Sequence, residues 1–221
     1  MKRLFLNYLA VAVIVLSTAM TGCNNENPEP EAEINGSNDP NFWKPQKGDV
    51  YVAGSTESRY ELAVATVWKN GVAQYLADGM LYTQTTSIFV SGNDVYVAGF
   101  EININTLNSV AILWKNGIAQ NLTDGISNAK ARSVFVSGSY VYVAGTVDNF
   151  ATVWKNGVAQ HLGEGGASSV FVSNSDVYVA GTSYENLIDN IILWKNGVAQ
   201  ILPHKAYDDE FGLSVSVFVV E

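Results

Sequence analysis

Val95-Tyr96-Val97-Ala98-Gly99 and Trp114-Lys115-Asn116-Gly117 are two sequence motifs that decide the fold of this chain, because both occur four times along it. The first motif begins at Val50, Val95, Val141 and Val177, and the second begins at Trp68, Trp114, Trp154 and Trp194. The tryptophans are 46, 40 and 40 residues apart. A repeat of this length is typical of the blades of a β-propeller.

Each repeat contains four short β-rich segments. Besides the two motifs there is an apolar segment, such as Ser87–Val90, and a shorter one, such as Val72–Leu76. The Asn-Gly pair after each Trp-Lys supplies the two positive-φ residues of a type I′ hairpin. Segments such as Val95–Ala98 are apolar at successive positions, so both faces of their sheet must be covered. The pattern predicts an all-β propeller of four repeat units, each with four short antiparallel strands.

The two ends of the repeat region are complementary. The first repeat begins at Asp49 without the strand that precedes Val-Tyr-Val-Ala-Gly in the other repeats, and Ser216–Val220 supplies such a strand at the far end. We therefore expect the strand around Phe218 to pair with the strand around Tyr51, which would close a four-bladed ring and remove exposed strand edges. The alternative is an eight-bladed ring built from two chains, so the protein is either a monomer or a homodimer.

Residues 1–22 have the features of a bacterial lipoprotein signal peptide. Lys2-Arg3 is followed by the apolar run Leu4–Leu16 and then by small residues up to Cys23. The apolar run is shorter than the ~20 residues of a membrane-spanning helix, and an uncleaved anchor is the alternative. The Gly-Cys junction resembles a lipobox, although Met20 stands where leucine is usual. We predict a lipid attached at Cys23 and a location at the bacterial outer membrane or cell surface, with the periplasmic face as the alternative.

The segment after the lipidation site is polar and acidic. Residues 23–47 contain four of the five prolines and cannot bury enough apolar surface to fold alone. We predict a disordered tether whose far end docks through Phe42 and Trp43 onto a propeller of residues 48–221. The formal net charge is −9. It becomes −11 once residues 1–22 are removed, because they carry two basic residues and no acidic one. Such a charge argues against nucleic acid as a partner.

The repeat pattern resembles a family of bacterial surface or periplasmic propeller-repeat lipoproteins. The resemblance rests on the two motifs and on Asp-Gly after the fourth strand, as in Asp78-Gly79 and Asp124-Gly125, and it covers residues 48–221. The chain departs from the pattern at Gly163-Glu164-Gly165 and at Leu202-Pro203-His204. This family has no assigned activity, so the resemblance implies a fold and a location but no chemistry.

Two sets of repeated side chains have both a functional and a structural interpretation. The four motif tryptophans could form an aromatic platform for sugars, but their position before a tight turn in every repeat favours packing between blades. The four motif lysines could form a basic ring for an anionic partner, and we interpret them as solubilising charges at hairpin ends. These lysines are Lys69, Lys115, Lys155 and Lys195.

The variable connections between strands are the predicted binding surface. Because neighbouring strands alternate in direction, the two tight turns of each repeat fall on one face of the propeller and the two variable connections fall on the other. Binding residues concentrate on loops that a rigid scaffold carries. Aromatic side chains beside carboxylates and amides suit a glycan or a protein ligand. The candidates are Arg59, Tyr60, Tyr82, Phe100, Glu101, Arg132, Phe150, Tyr184, Glu185, His204, Tyr207 and Asp208.

Catalytic signals are few in this sequence. It contains no phosphate-binding loop, metalloprotease helix, dinucleotide fingerprint or Gly-x-Ser-x-Gly elbow. His161 occupies a variable position of a short strand, and only the loop from His204 to Glu210 brings acidic and basic side chains close together. We predict a binding protein without a catalytic residue, cofactor or bound metal. The alternative is a polysaccharide lyase or hydrolase with its site near residues 204–210.

Replacing the cysteine tests the predicted anchor. In Cys23→Ala the thiol that would carry the lipid is gone, so we expect an uncleaved precursor or a protein lost from the detergent-extractable membrane fraction. Cell fractionation combined with metabolic labelling by a fatty acid measures both outcomes. A variant that matures, labels and localises as the wild type does would show that Cys23 is not the anchor.

Overall fold

The computed structural model describes residues 39–185, 188–203 and 215–220, and the regular secondary structure in these ranges is β-strand throughout. No helix of the described part of the chain is long and apolar enough to cross a bilayer. The all-β prediction is confirmed. The strands are β1 (Tyr51–Glu57), β2 (Ala63–Lys69), β3 (Val72–Tyr75), β4 (Thr83–Ser91), β5 (Asp94–Ile102), β6 (Ser109–Lys115), β7 (Ile118–Asn121), β8 (Ala129–Ser137), β9 (Tyr140–Val147), β10 (Phe150–Lys155), β11 (Val158–Glu164), β12 (Gly166–Ser173), β13 (Asp176–Glu185), β14 (Ile188–Lys195) and β15 (Val198–Leu202).

The strands form four antiparallel sheets, which we call blades 1 to 4 in chain order. Blade 1 contains β1–β3, blade 2 contains β4–β7, blade 3 contains β8–β11 and blade 4 contains β12–β15. In every blade the strands pair in sequence order. Blades 2 to 4 have the four strands that the repeat predicts, whereas the sheet of blade 1 has three. The architecture is therefore propeller-like, with one sequence repeat for each blade.

The Asn-Gly pairs form the predicted hairpin turns. At Asn116 and Gly117 the φ angles are 50° and 79°, and the other three pairs have similar values. Both residues thus adopt the positive φ that a type I′ turn requires. The asparagine side chain also ties the turn to the neighbouring strand, because Asn116 Oδ1 accepts a hydrogen bond from the backbone N of Val95 at 2.8 Å. The same bond occurs in the other three blades.

The motif tryptophans pack between blades, as predicted. Trp114, Trp154 and Trp194 are fully buried, and each packs against apolar side chains of the preceding blade. Trp68 of blade 1 is only partly buried. Its different environment has a simple reason: no blade precedes blade 1 in the described chain. Because large aromatic side chains bury much apolar surface, these contacts help to attach one blade to the next.

The first strands of successive blades lie side by side along the inner edge of the stack. Ser87 Oγ of blade 2 accepts a hydrogen bond from the backbone N of Val134 in blade 3 at 3.2 Å, and an equivalent bond joins blade 3 to blade 4. Three phenylalanine rings form a ladder along the same edge, with centroids 4.8 and 4.7 Å apart. These rings belong to Phe89, Phe135 and Phe171.

Residues 215–220 continue this ladder beyond blade 4. The backbone N of Val217 donates a hydrogen bond to Ser169 Oγ at 3.2 Å, as the corresponding residues do between the other blades. The ring of Phe218 lies 4.9 Å from the ring of Phe171. Beside blade 4, the segment therefore occupies the position that the first strand of a further blade would take.

The ring expected within one chain is not closed. The described residues show no pairing between residues 215–220 and β1, so the predicted pairing of the strands around Phe218 and Tyr51 is not found. Val52 in β1 is 52% exposed and Phe218 is 76% exposed. Both residues are thus exposed apolar side chains at the two ends of the described blade stack.

The segment before β1 packs on blades 1 and 2. Phe42 is buried in the core between these blades, and its carbonyl oxygen accepts a hydrogen bond from the Tyr51 hydroxyl at 3.0 Å. The indole of Trp43 covers Gly117, where an added Cβ would lie 2.9 Å from the ring. The predicted docking of Phe42 and Trp43 is confirmed. Phe42 and Trp43 bury apolar surface on the blades. The packed part of the chain therefore begins before the expected domain boundary at residue 48.

Candidate functional site

The two faces of the blade stack carry different kinds of connection. The Asn-Gly hairpins and the turns between the first and second strands of a blade, such as β4–β5, lie at one end of the strands. We call this end the turn face. The remaining connections, such as β1–β2 and β3–β4, lie at the opposite end, which we call the loop face. The alternation of strand direction thus separates the short repeated turns from the variable loops, as the sequence predicts.

The first pair of candidates lies together in the β1–β2 loop. The guanidinium of Arg59 is 5.0 Å from the centroid of the Tyr60 ring, and both side chains are exposed. The loop is ordered by Ser58, whose Oγ accepts a hydrogen bond from the backbone N of Tyr60 at 3.2 Å. Glu61 follows with φ of 59°. The result is a cation–π pair held on a tight loop at the rim of blade 1.

The second group of candidates lies where blades 2 and 3 meet. The rings of Tyr82 and Phe100 stack with centroids 6.2 Å apart, and Lys130 Nζ of blade 3 lies 4.5 Å from the centroid of Phe100. Phe100 is 6% exposed and Tyr82 is 37% exposed. Phe100 therefore supports the other two side chains, and Tyr82 and Lys130 present the accessible surface. The sequence gives no signal for Lys130, because this residue lies in a strand and only the packing of blades brings it to this loop.

Glu101 adds a carboxyl group to this region. Partial burial raises its pKa above the ordinary value, and repulsion by the nearby carboxylate of Asp78 raises the pKa further. Glu101 pairs in the sheet with Thr83, directly after Tyr82. The loop face at blade 2 thus combines an aromatic ring, a cation and a carboxyl group that binds its proton more readily than a solvated glutamate.

Two further candidates lie apart from this region. Arg132 is exposed at a β-bulge in β8. Phe150 is exposed at the start of β10, with its ring centroid 5.8 Å from that of His161. The Nδ1 atom of His161 lies 2.9 Å from Thr152 Oγ1, so the imidazole is part of a local contact within blade 3. The structure therefore does not gather these side chains with Tyr82 into one site.

Five candidates lie beyond the described side chains. Two of them, Tyr184 and Glu185, are the last residues of β13, and the placement of their side chains is not described. The other three are His204, Tyr207 and Asp208, which lie outside the described residues. The alternative enzymatic site near residues 204–210 belongs to the same undescribed segment and stays a prediction.

Three of the four motif lysines form the same ion pair on the turn face. In each case the asparagine that follows the lysine donates its Nδ2 to the same carboxylate at 2.7 or 2.8 Å. Hydrogen bonds from the lysine and the asparagine together hold the pKa of all three aspartates below the ordinary value of 3.8; the lysine contributes most at Asp94 and Asp176, and the asparagine contributes most at Asp49. Three of the four lysines that could have formed a basic ring are thus neutralised by aspartate. The pairs are Lys69–Asp49 at 3.0 Å, Lys115–Asp94 at 2.8 Å and Lys195–Asp176 at 2.6 Å.

Blade 3 departs from this pattern because Tyr140 stands where the other blades have aspartate. Lys155 Nζ lies 4.0 Å from the ring centroid of Tyr140 and 5.5 Å from that of Tyr142. Lys155 makes no ion pair with any described residue. Asn156 Oδ1 accepts its usual hydrogen bond from Val141 N at 2.8 Å, while its Nδ2 has no acceptor in the described part of the chain. The turn of blade 3 thus presents two donors without a carboxylate.

A cleft of about 670 Å³ lies beside this turn, between blades 3 and 4. Tyr140, Lys155 and Gln160 line it from blade 3, and Val177 and Asn196 line it from blade 4. The sequence analysis placed binding on the loop face and missed this cleft. One signal could have found it, namely the single departure from the repeat at position 140, where the equivalent residues are Asp49, Asp94 and Asp176.

Neither metal-ligand geometry nor similarity to known proteins points to a chemical activity. Among the described residues, no group of three or more His, Cys, Asp or Glu side chains could hold a metal ion. No protein-family model matches the chain, and no curated protein is significantly similar to it in sequence. The fold and the sites define the class of protein: an all-β, propeller-like repeat protein with loops on one face and paired charges on the other.

The ion pairs on the turn face should make the fold sensitive to acid. A carboxyl group with a lowered pKa in the folded state stabilises the fold above its unfolded-state pKa, and this stabilisation is lost as the pH falls through the folded-state pKa. We expect the melting temperature to fall as the pH is lowered from about 4 to about 2, and to fall less steeply in Asp94→Asn. Circular dichroism melts at several pH values measure this.

The control for this acid dependence is Glu57→Gln, which removes an exposed carboxyl group that forms no ion pair among the described residues. Its melts should follow those of the wild type at every pH. If Asp94→Asn loses stability in acid as steeply as the wild type does, the ion pairs are not the source of the acid sensitivity.

Proposed function

We propose that the protein is a lipid-anchored extracytoplasmic binding protein that presents the loop face of a propeller to a glycan or protein ligand. The N-terminal sequence supports the anchor, because its single cysteine directly follows the signal-like segment of residues 1–22. The loops support the binding role, because they differ between repeats while the strands and tight turns are repeated. The proposal places the protein at the bacterial outer membrane or cell surface.

The stack of Tyr82, Phe100 and Lys130 is the observation that carries the binding role. Phe100 is buried and contacts both the Tyr82 ring and the Lys130 ammonium. An exposed aromatic ring fixed in this way contacts a sugar or an apolar side chain at a low cost in conformational entropy. Lys130 and Glu101 add polar groups for orientation. The arrangement therefore offers contacts for binding a ligand.

Substitution of the exposed members of the stack tests the binding role. A glycan array and a pull-down with the purified full-length protein first identify the ligand class, and titration calorimetry then gives the affinity. We expect Tyr82→Ala combined with Lys130→Met to weaken binding about tenfold or more, since an aromatic contact contributes roughly 0.5–1.5 kcal/mol and a charged hydrogen bond adds to it.

Met80→Ala is the matched control for this experiment. Met80 lies in the same loop and is exposed, but it belongs to no aromatic stack. The control should bind as the wild type does. If the double variant also binds as the wild type does, the loop face at blade 2 is not the binding surface.

We further propose that two copies of the chain close an eight-bladed ring. Blade 1 has a partly uncovered face: Val52 is exposed there, although Val64 and Thr66 on the same face are buried, whereas the residues at the position of Val52 in the covered blades are buried. Those residues are Val97, Val143 and Val179. Blade 4 also has an uncovered face, because Leu193 is only partly buried while Leu113, its equivalent in blade 2, is buried against blade 3.

The exposed face of blade 1 and the exposed face of blade 4 could pack on each other as the faces of successive blades do. Trp68 occupies the position from which Trp114 packs on the preceding blade, and blade 4 of a second copy would supply such a blade. Residues 215–220 of that copy would supply the first strand that blade 1 lacks. Because the two faces differ, the contact is heterologous, and two such contacts related by a two-fold axis close a ring.

A charge on the uncovered face of blade 1 tests this assembly. We expect the wild type to sediment as a dimer in density-matched detergent and Val52→Glu to sediment as a monomer, because the charge would be buried in the contact. Val72→Glu is the control: Val72 lies in the same blade with similar exposure, and its equivalents stay exposed even in covered blades. A monomeric wild type would contradict the two-copy ring.

A further inference from the structure

The Lys-Asn pair of the Asn-Gly hairpin is a carboxylate-binding unit that this chain repeats. In blades 1, 2 and 4 the lysine Nζ lies 2.6 to 3.0 Å from an aspartate oxygen. The asparagine Nδ2 donates to the same carboxylate. The asparagine Oδ1 accepts a backbone hydrogen bond, which orients Nδ2 toward the carboxylate. Because the geometry occurs three times, it indicates that this pair of donors binds a carboxylate.

Blade 3 has the same pair of donors but lacks the carboxylate. Asn156 is held by the same backbone hydrogen bond, from Val141 N to Oδ1 at 2.8 Å, so its Nδ2 has the orientation found in the other blades. Lys155 is exposed, and its ammonium lies over the ring of Tyr140. An external carboxylate could therefore accept charge-assisted hydrogen bonds here, as aspartate does in the other blades.

The surrounding charges leave this positive group uncompensated. The equivalent carboxylate of blade 4, Asp176, is paired with Lys195 at 2.6 Å and hydrogen-bonded to Asn196. Tyr140 brings a ring where the other blades bring a negative charge. Lys155 is thus the motif lysine that forms no ion pair with any described residue, and it lines the cleft.

The cleft between blades 3 and 4 has room for more than a carboxylate group. Its volume of about 670 Å³ lies within the range of small-molecule sites. Tyr140, which is 46% exposed, and Tyr142 give aromatic surface, while Gln160 gives an amide. Val177 and Val179 form an apolar wall from blade 4. Because both blades contribute, the packing of the stack holds the cleft open.

We propose that this cleft binds an acidic saccharide, a sugar whose carboxylate contacts Lys155 and Asn156 and whose ring packs on Tyr140. Aromatic and apolar walls suit the C–H face of a sugar ring, and the Gln160 amide suits its hydroxyl groups. The carboxylate distinguishes the ligand from neutral sugars. The site lies on the turn face, so this inference does not rest on the binding proposed for the loop face.

Calorimetric titration of the purified full-length protein tests the ligand class. The probes are trigalacturonate, maltotriose as a neutral trisaccharide, and a triglutamate peptide as a carboxylate without a sugar ring. We expect trigalacturonate to bind, more weakly as salt is added, and the other two to bind at least about tenfold more weakly, since each lacks one of the two recognised features.

Substitutions within the repeat pattern test the site. Tyr140→Asp gives blade 3 the aspartate of the other blades, so its own carboxylate should occupy Lys155 and Asn156 and abolish trigalacturonate binding. The variant should melt no lower than the wild type, which separates lost binding from lost folding. Lys155→Met should weaken binding about tenfold or more. Lys115→Met, which removes a lysine paired with Asp94, should leave binding unchanged.

Several results would overturn the proposal. Trigalacturonate that does not bind at millimolar concentration, or that binds no better than maltotriose or triglutamate, would reject the acidic saccharide as the ligand. Binding that survives in both Tyr140→Asp and Lys155→Met, or that is lost in Lys115→Met, would reject the site. Tyr82→Ala should leave this binding unchanged, so failure of the loop-face proposal and failure of this one are distinguishable.

Discussion

The constraint on which this structure depends is that every sheet is apolar on both faces. A free sheet of this kind would expose two apolar surfaces to water, so each blade is stable only with a blade on either side. The buried tryptophans satisfy this requirement by packing on the preceding blade, and the phenylalanine ladder does so along the inner edge. At the two ends of the stack this requirement is not met, and Val52 and Phe218 are exposed.

The hairpin edge of each blade is organised by polar contacts that repeat with the sequence. Asn-Gly sets the turn, the asparagine side chain joins the neighbouring strand, and lysine and aspartate pair across the edge. Blade 3 is the exception to this pattern, because it has Tyr140 in place of the aspartate. Tyr140 leaves the conformation of its turn intact, because the hydrogen bond from Val141 to Asn156 remains, but it removes the carboxylate that Lys155 would otherwise bind.

The two faces of the stack therefore support different roles. On the loop face, variation between repeats yields separate groups, such as Arg59 with Tyr60 and the stack around Phe100. On the turn face, the same lysine–aspartate pair occurs in three blades, while Lys155, beside a cleft, forms no ion pair with any described residue. An N-terminal lipid would hold both faces outside the cytoplasm, where glycans and the surfaces of other proteins are the available partners.

The sequence by itself determined the all-β class, the four repeat units, the type I′ hairpins and the burial of Trp114, Trp154 and Trp194. These features follow from hydrogen bonds and apolar contacts between segments that are close in the chain. The residues that make these contacts recur in each repeat. Only the tertiary structure decided that residues 215–220 do not pair with β1 of the same chain, that Phe100 is a buried support, and that Lys155 lies beside a cleft. Each of these depends on how one blade meets another, and the residues concerned lie in different repeats, so no local sequence pattern relates them.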